Sequence, residues 1–302
     1  MAQPSTLNRS LELAGALPPL MVAADRVAAT VIQGVHGRRR VGQGDAFWQY
    51  RPFRDGDSAG RIDWRQSARS RTLFVRETEW EAAASVWLWR DASPSMQYAS
   101  LRGLDTKAVR AELITLALAS LLTDAAERVA LLGTGMRPSS GRIAVRRIAE
   151  TMYDEARPLA DGKSRAFSSL PPLVPLPAHG TIVLVSDWLD PLAEIETMIR
   201  YYAGTGVRGH LVQVLDPAEE DLPFDGHVKF EGLEAEGQHT IRRVETVRQA
   251  YGARLAAQRE GLQRLARPAN WTVHFHRTDR PPQTALLALY LAMADLRRLN
   301  AS

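Results

Sequence analysis

Two unbroken apolar runs, Val86-Trp87-Leu88-Trp89 and Ile182-Val183-Leu184-Val185, constrain this chain more than any other feature. A strand with one face in water alternates apolar and polar residues, whereas a strand that is apolar at every position must be covered on both faces. That is the condition of a parallel sheet between two layers of helices. Further strand candidates are Arg128 to Thr134, His210 to Leu215 and Trp271 to His276, and the two apolar runs extend to Ser85–Arg90 and Thr181–Ser186. Helical periodicity fills the intervals at Thr106 to Glu127, Arg142 to Arg157, Pro191 to Ala203, Val244 to Ala266 and Thr284 to Leu299. The alternation predicts a doubly wound, mostly parallel α/β sheet flanked by helices, with Val86–Trp89 and Ile182–Val185 as neighbouring central strands. Five prolines between Pro158 and Pro177 mark a loop, and Val228 to Arg243 suits an inserted hairpin.

Before this sheet the pattern changes. Residues 18 to 34 carry apolar positions at Leu20, Val27 and Ile32 and stop at Gly34 and Gly37, as an amphipathic helix would. Arg and aromatic residues then interleave, with Phe47, Trp48, Tyr50 and Phe53 among Arg51 and Arg54. Asp63 with Gln66 three residues on predicts a capped short helix from Trp64 to Ser70, its indole buried, and Thr72 to Trp80 follows as a strand. The expected division is therefore a smaller N-terminal α+β segment, residues 1–82, and an α/β domain, residues 83–302.

Composition removes several function classes. Without cysteine there is no disulfide, thiolate nucleophile, iron–sulfur cluster or Cys-ligated zinc. The longest apolar runs fall short of the roughly 18 residues of a membrane span, and the N-terminal residues lack a signal pattern, so a cytoplasmic location is expected. The 38 basic residues are 35 Arg and only three Lys, at 107, 163 and 229. Ten Arg against five acids lie between His36 and Glu77, which leaves a basic surface open beside the plainer reading of Arg–Asp pairs within a fold. Gly162-Lys163-Ser164 imitates a phosphate loop, but Arg157 stands where its opening glycine would be. His274 and His276 share one face of a strand without a third ligand nearby, and a solvated strand face is expected there.

The feature that carries chemistry is Asp91-Ala92-Ser93-Pro94-Ser95, directly after the first buried strand and ahead of the long helix. Ligands in such sheets bind at the carboxyl ends of the strands. One carboxylate and two hydroxyls on a tight loop are hard oxygen donors suited to Mg2+ or Mn2+. A second strand ends in Ser186-Asp187, which supplies another carboxylate. The alternative is that Ser93, Ser95 and Asp187 simply cap the helices that follow them.

This arrangement resembles a von Willebrand factor A-type domain, whose metal-ion-dependent adhesion site uses Asp-x-Ser-x-Ser, a threonine from a second loop and an Asp from a third. The resemblance assigns Asp91, Ser93, Ser95 and Asp187 to that site, with Ser164 the nearest match to the threonine and Arg90 adjoining Asp91 as a partial substitute for a cation's charge. Phe47, Arg51, Gly56-Asp57, Arg61-Ile62-Asp63-Trp64, Ser67-Ala68-Arg69, Leu73, Val75 and Arg76 further resemble the signature of the bacterial domain of unknown function 58 family, in which it precedes the A-type domain. Members often accompany MoxR-type AAA+ ATPases. The resemblance thus implies a non-enzymatic protein-binding adaptor or co-chaperone with a degenerate, weakly Mg2+- or Mn2+-binding site. The competing functions are a metal-dependent phosphoester hydrolase and nucleic-acid binding through residues 36–76, the latter disfavoured by the Asp among the Arg. Oligomeric state is open.

Overall fold

The computed structural model describes residues 20–32, 47–53, 62–69, 72–78, 85–155, 168–233 and 237–300. The chain divides into two units, Met1–Val35 with Ser85–Ser302, and His36–Ala84. The N-terminal helix, grouped by sequence with the Arg and aromatic segment, thus belongs to the α/β unit.

In that unit, α1 (20–32) places Ala24, Val27, Ala28 and Val31 in the core at helical spacing. The elements that follow are β3 (Ser85–Arg90), α3 (Lys107–Asp124), β4 (Arg128–Leu131), α4 (Arg142–Glu155), β5 (Thr181–Ser186), α5 (Leu192–Gly204) and β6 (Arg208–Leu215). After them come α6 (Pro217–Asp221), β7 (Val228–Glu231), β8 (Gln238–Ile241), α7 (Arg248–Ala266), β9 (Thr272–Arg277) and α8 (Pro282–Asn300). The elements β1, α2 and β2 belong to the other unit. Five strands form one sheet in the order β4-β3-β5-β6-β9, and every neighbouring pair is parallel. The two apolar runs lie side by side, Leu88 opposite Val183 and Trp89 opposite Leu184.

Because side chains alternate across a strand, each buried strand feeds two cores. Val86, Leu88, Val183, Val185, Val212 and Val214 face the layer of α1, α3, α4 and α8, where Ala111, Ala117 and Ala119 let α3 approach closely. Trp87, Trp89, Ile182, Leu184 and Leu211 face α5 and α7, a layer filled by Trp188 and Trp271. Gly209 is required there, since a Cβ would stand 2.1 Å from the Trp271 ring. The hairpin expected after residue 228 is β7 paired antiparallel with β8.

The 36–84 unit contains β1 (Phe47–Pro52) paired antiparallel with β2 (Phe74–Thr78), and α2 (Trp64–Ser67). The backbone N–H of Asp63 donates to Phe74 O, and Ser67 Oγ accepts from the Phe74 N–H at 2.9 Å, so both backbone groups of Phe74 tie the strand to the helical segment. Trp64, expected to be buried, is 64% exposed, on a helix of one turn that brings no opposing layer with it.

Candidate functional site

Three loops leave the carboxyl edge of the sheet and meet. The first follows β3, where the Asp91 N–H continues the ladder to Val185 O. The Asp91 carboxylate is fully buried and accepts from the Ser93 N–H at 2.7 Å and from Ser186 Oγ at 2.8 Å. Ser93 Oγ lies 3.0 Å from Ser95 Oγ, and Ser95 Oγ donates to Asp187 Oδ2 at 3.2 Å. The four residues that the sequence singled out are thus linked in one hydrogen-bonded chain. Ser164 lies outside the described residues.

The second loop follows β5. Trp188 adopts φ +52, a left-handed conformation uncommon for a bulky side chain, and its indole donates to Val212 O at 3.1 Å. Anchoring the ring costs backbone strain and aims the preceding Asp187 carboxylate across the sheet edge toward the first loop. Gln213 holds the Asp187 carbonyl at 2.8 Å, and Arg259 in turn holds Gln213. The third loop follows β6. Asp216 caps α6 through Ala218 N and also accepts from the Ser100 N–H at 2.9 Å, which ties the third loop to the first. A capping box completed by Glu219 fixes that side chain as well.

At the centre of these loops stands Lys107, the first residue of α3. Its Nζ lies 2.8 Å from Asp187 Oδ2 and 2.6 Å from Glu219 Oε1, and the residue is 1% exposed. Burial alone would lower the Lys107 pKa, but the Asp187 and Glu219 carboxylates more than offset it and raise it above the ordinary value, so the ammonium is charged. Among the described residues no cation is bonded to Asp91. Burial lifts its pKa to about 6 against the pull of its hydrogen bonds from Ser93 and Ser186. A cavity of about 920 Å³ opens over this floor, with Ser95, Lys107, Asp187 and Glu219 on its polar side and Leu189, Leu222, Phe224, Phe230 and Tyr251 among its apolar walls.

A resident Mg2+ or Mn2+ does not fit this donor set. Asp187 Oδ2 already accepts from an ammonium and a hydroxyl, both Asp91 oxygens are engaged, and a divalent ion would have to share the acids with the positive charge of Lys107. Arg90 does not supply the compensating charge, because its guanidinium turns away to Glu112 and Glu155. Among the described residues no three His, Asp or Glu side chains are grouped to hold a metal. The His pair is not a solvated face either. His276 is buried with Nε2 3.3 Å from Arg110, burial and that guanidinium lower its pKa to about 4, and His274 bonds Thr272.

Sequence reasoning missed Lys107, Asp216 and Glu219. Asp216 follows a buried strand as Asp91 and Asp187 do, so the same rule applied a third time finds it. Lys107 stands out only as one of three lysines in an arginine-rich chain.

A family model described as protein of unknown function DUF58 matches residues 49–261. The uncharacterized proteins Mb1516 of Mycobacterium bovis and Rv1480 of Mycobacterium tuberculosis are each 24% identical over 290 residues, covering 92% of this chain and 89% of theirs. A crystal structure of an aerotolerance-related membrane protein from Bacteroides fragilis, with multiple mutations to serines, aligns with a TM-score of 0.39 at 16% identity. The alignment covers 70% of this chain and 99% of that one. A cytoplasmic location was expected from the sequence, whereas this neighbour is described as a membrane protein. Among the described residues no helix is long and apolar enough to cross a membrane.

Proposed function

The chain belongs to the DUF58 family, and from that premise we propose that it is a non-enzymatic interaction protein, an adaptor or co-chaperone for a MoxR-type AAA+ ATPase, with a von Willebrand factor A-like α/β unit. The observation that carries this reading is the meeting of the Asp91-x-Ser-x-Ser loop with the Asp187 loop under an open cleft. The strand order supports it. The connections leaving β3 and β5 go to opposite faces of the sheet, and the gap between them is where such folds receive ligands. The chemistry of the floor favours binding over catalysis. Asp187 Oδ2 is already taken by the Lys107 ammonium and the Ser95 hydroxyl, so it holds partners in place instead of facing a substrate proton.

The apolar walls offer a partner area, and the polar floor offers direction. A pull-down of a purified MoxR-type ATPase by the tagged chain tests the proposal, with Leu189→Glu on the cleft wall as the comparison. Leu189 is 45% exposed, so the variant should stay folded. Capture by the wild type and its loss in the variant are expected. No capture by the wild type, or equal capture by both, contradicts the reading.

A further inference from the structure

We propose that Lys107 is the built-in cation of this site: its ammonium occupies the position that a divalent ion would take against the Asp-x-Ser-x-Ser loop, and the site works without metal. The inference rests on the adhesion-site reading above and specifies how that site is held together.

The three loops at the carboxyl edge carry Asp91, Asp187 and Asp216, all buried, and Glu219, which is partly buried. Carboxylates brought together out of water repel one another and lose hydration, so the arrangement needs a positive charge or protons. Among the described residues Lys107 is the cation bonded to this group, and it joins Asp187 of the second loop to Glu219 of the third. Its contact distances are those of charge-assisted hydrogen bonds. The oxygen it takes on Asp187 is the one that also accepts from Ser95, so the ammonium and the Asp-x-Ser-x-Ser loop meet at a single atom.

The residue type adds a second, independent argument. The chain has 35 Arg and three Lys, and it uses Arg even in its interior, at Arg90 and Arg110. A guanidinium is a wide planar fork, whereas an ammonium is a compact charge with tetrahedrally arranged donors. Lysine at 107 against this background therefore marks a place shaped for a compact, ion-like charge. Position matters too. Lys107 opens α3 immediately after the loop, with its backbone N–H bonded to Tyr98 O and Thr106 capping the helix through Val109 N, so the root of the side chain is fixed from both sides.

The test is whether removing the ammonium creates a metal site. Wild type and Lys107→Met are freed of metal, and Tm is recorded with and without millimolar Mg2+, while Mn2+ uptake is read from water-proton relaxation. The wild type is expected to show no Tm change and no bound Mn2+. Lys107→Met is expected to bind one Mn2+ and to gain about 5 °C or more with Mg2+, and Lys107→Met/Asp187→Asn should lose both effects. If Lys107→Met does not fold without metal, recovery on refolding in Mg2+ supports the proposal and failure to recover overturns it. A wild type that takes up Mn2+ or is stabilised by Mg2+, or a folded Lys107→Met indifferent to both ions, also overturns it. These readouts need no partner. A failed ATPase pull-down therefore counts against the adhesion reading alone, whereas wild-type capture abolished by a chelator counts against Lys107 alone.

Discussion

Arg90 and Lys107 are both buried cations near the carboxyl edge of the sheet, and each bridges two acids, yet they serve different parts of the molecule. Arg90 ends β3 and reaches Glu112 on α3, Glu155 at the end of α4 and the Met152 carbonyl. Its planar donors spread over one strand and two helices and clamp the body of the fold. Lys107 begins α3 and reaches Asp187 and Glu219, both outside the sheet, beneath the cavity. A guanidinium suits a junction of several acceptors, and an ammonium suits a point where acids from two separate connections meet at one charge. Equal burial and equal charge thus do not imply equal roles; the acceptors decide.

The largest test of this contrast is Arg90→Met. Glu112 and Glu155 would lose the Arg90 guanidinium, and breaking a buried pair costs about 3–5 kcal/mol. Chemical denaturation should show that loss, and Mg2+ should not restore it. Rescue of Arg90→Met by Mg2+ would mean that metal stabilises any cation-deprived variant of this fold, and the contrast with Lys107 would collapse.

A third buried cation sharpens the comparison through pH. Arg110 faces the ring of His276, with Asp105 and the Arg280 carbonyl as its other partners, and Asp279 is the acid that opposes it at the ring. The His276 pKa is lowered from 6.5 to about 4, first by burial and then by Arg110. Above pH 6.5 the ring is neutral in both states and adds nothing. Between 6.5 and 4 the unfolded chain binds a proton that the folded chain refuses, so stability drops as the pH is lowered, by roughly 3 kcal/mol in total, and the loss levels off below 4. Asp91 acts in the opposite direction, because its raised pKa lets the folded state take a proton first as pH falls below about 6. The denaturation free energy of wild type minus that of His276→Asn cancels the Asp91 contribution and should fall across this window. A pH-independent difference would remove the buried neutral ring from the account.

Asp216→Ala addresses the loop side. It removes the cap of α6 and the tie to Ser100, and a lost cap costs about 1 kcal/mol. Because that short helix carries Glu219, the variant should also weaken ATPase capture, measured in the same pull-down. Full capture with lowered stability would separate α6 from the site. The smallest effect belongs to the exposed pair Arg146–Glu150, where Glu150→Ala should change stability by less than about 0.5 kcal/mol. A larger change would show that surface pairs, and not only the buried cations, hold this unit.

Much of the fold was legible because it rests on local pattern. The runs in β3 and β5 are apolar at every position, and this alone required two covering layers and a parallel sheet. Beyond the adjacency of β3 and β5, which the two runs predicted, strand order was not legible, since nothing in Val129 or Leu211 states which neighbour each strand takes. The site was half legible. Asp91, Ser93, Ser95 and Asp187 carry a motif at strand ends, whereas Lys107 and Glu219 are 112 residues apart and meet only through that order. Trp64 misled for a related reason: its size argued for burial, but burial needs an opposing layer that a one-turn helix does not bring with it.

The central claim is that the Lys107 ammonium is a fixed, charged part of the site. Since the chain contains only three lysines, selective 15N labelling of lysine gives at most three side-chain ammonium resonances, and Lys107→Met assigns one of them by its loss. The Lys107 resonance is expected to be that of a charged ammonium protected from solvent exchange, unmoved when Mg2+ is added. A resonance that exchanges freely, or that shifts or disappears on titration with Mg2+, would contradict it.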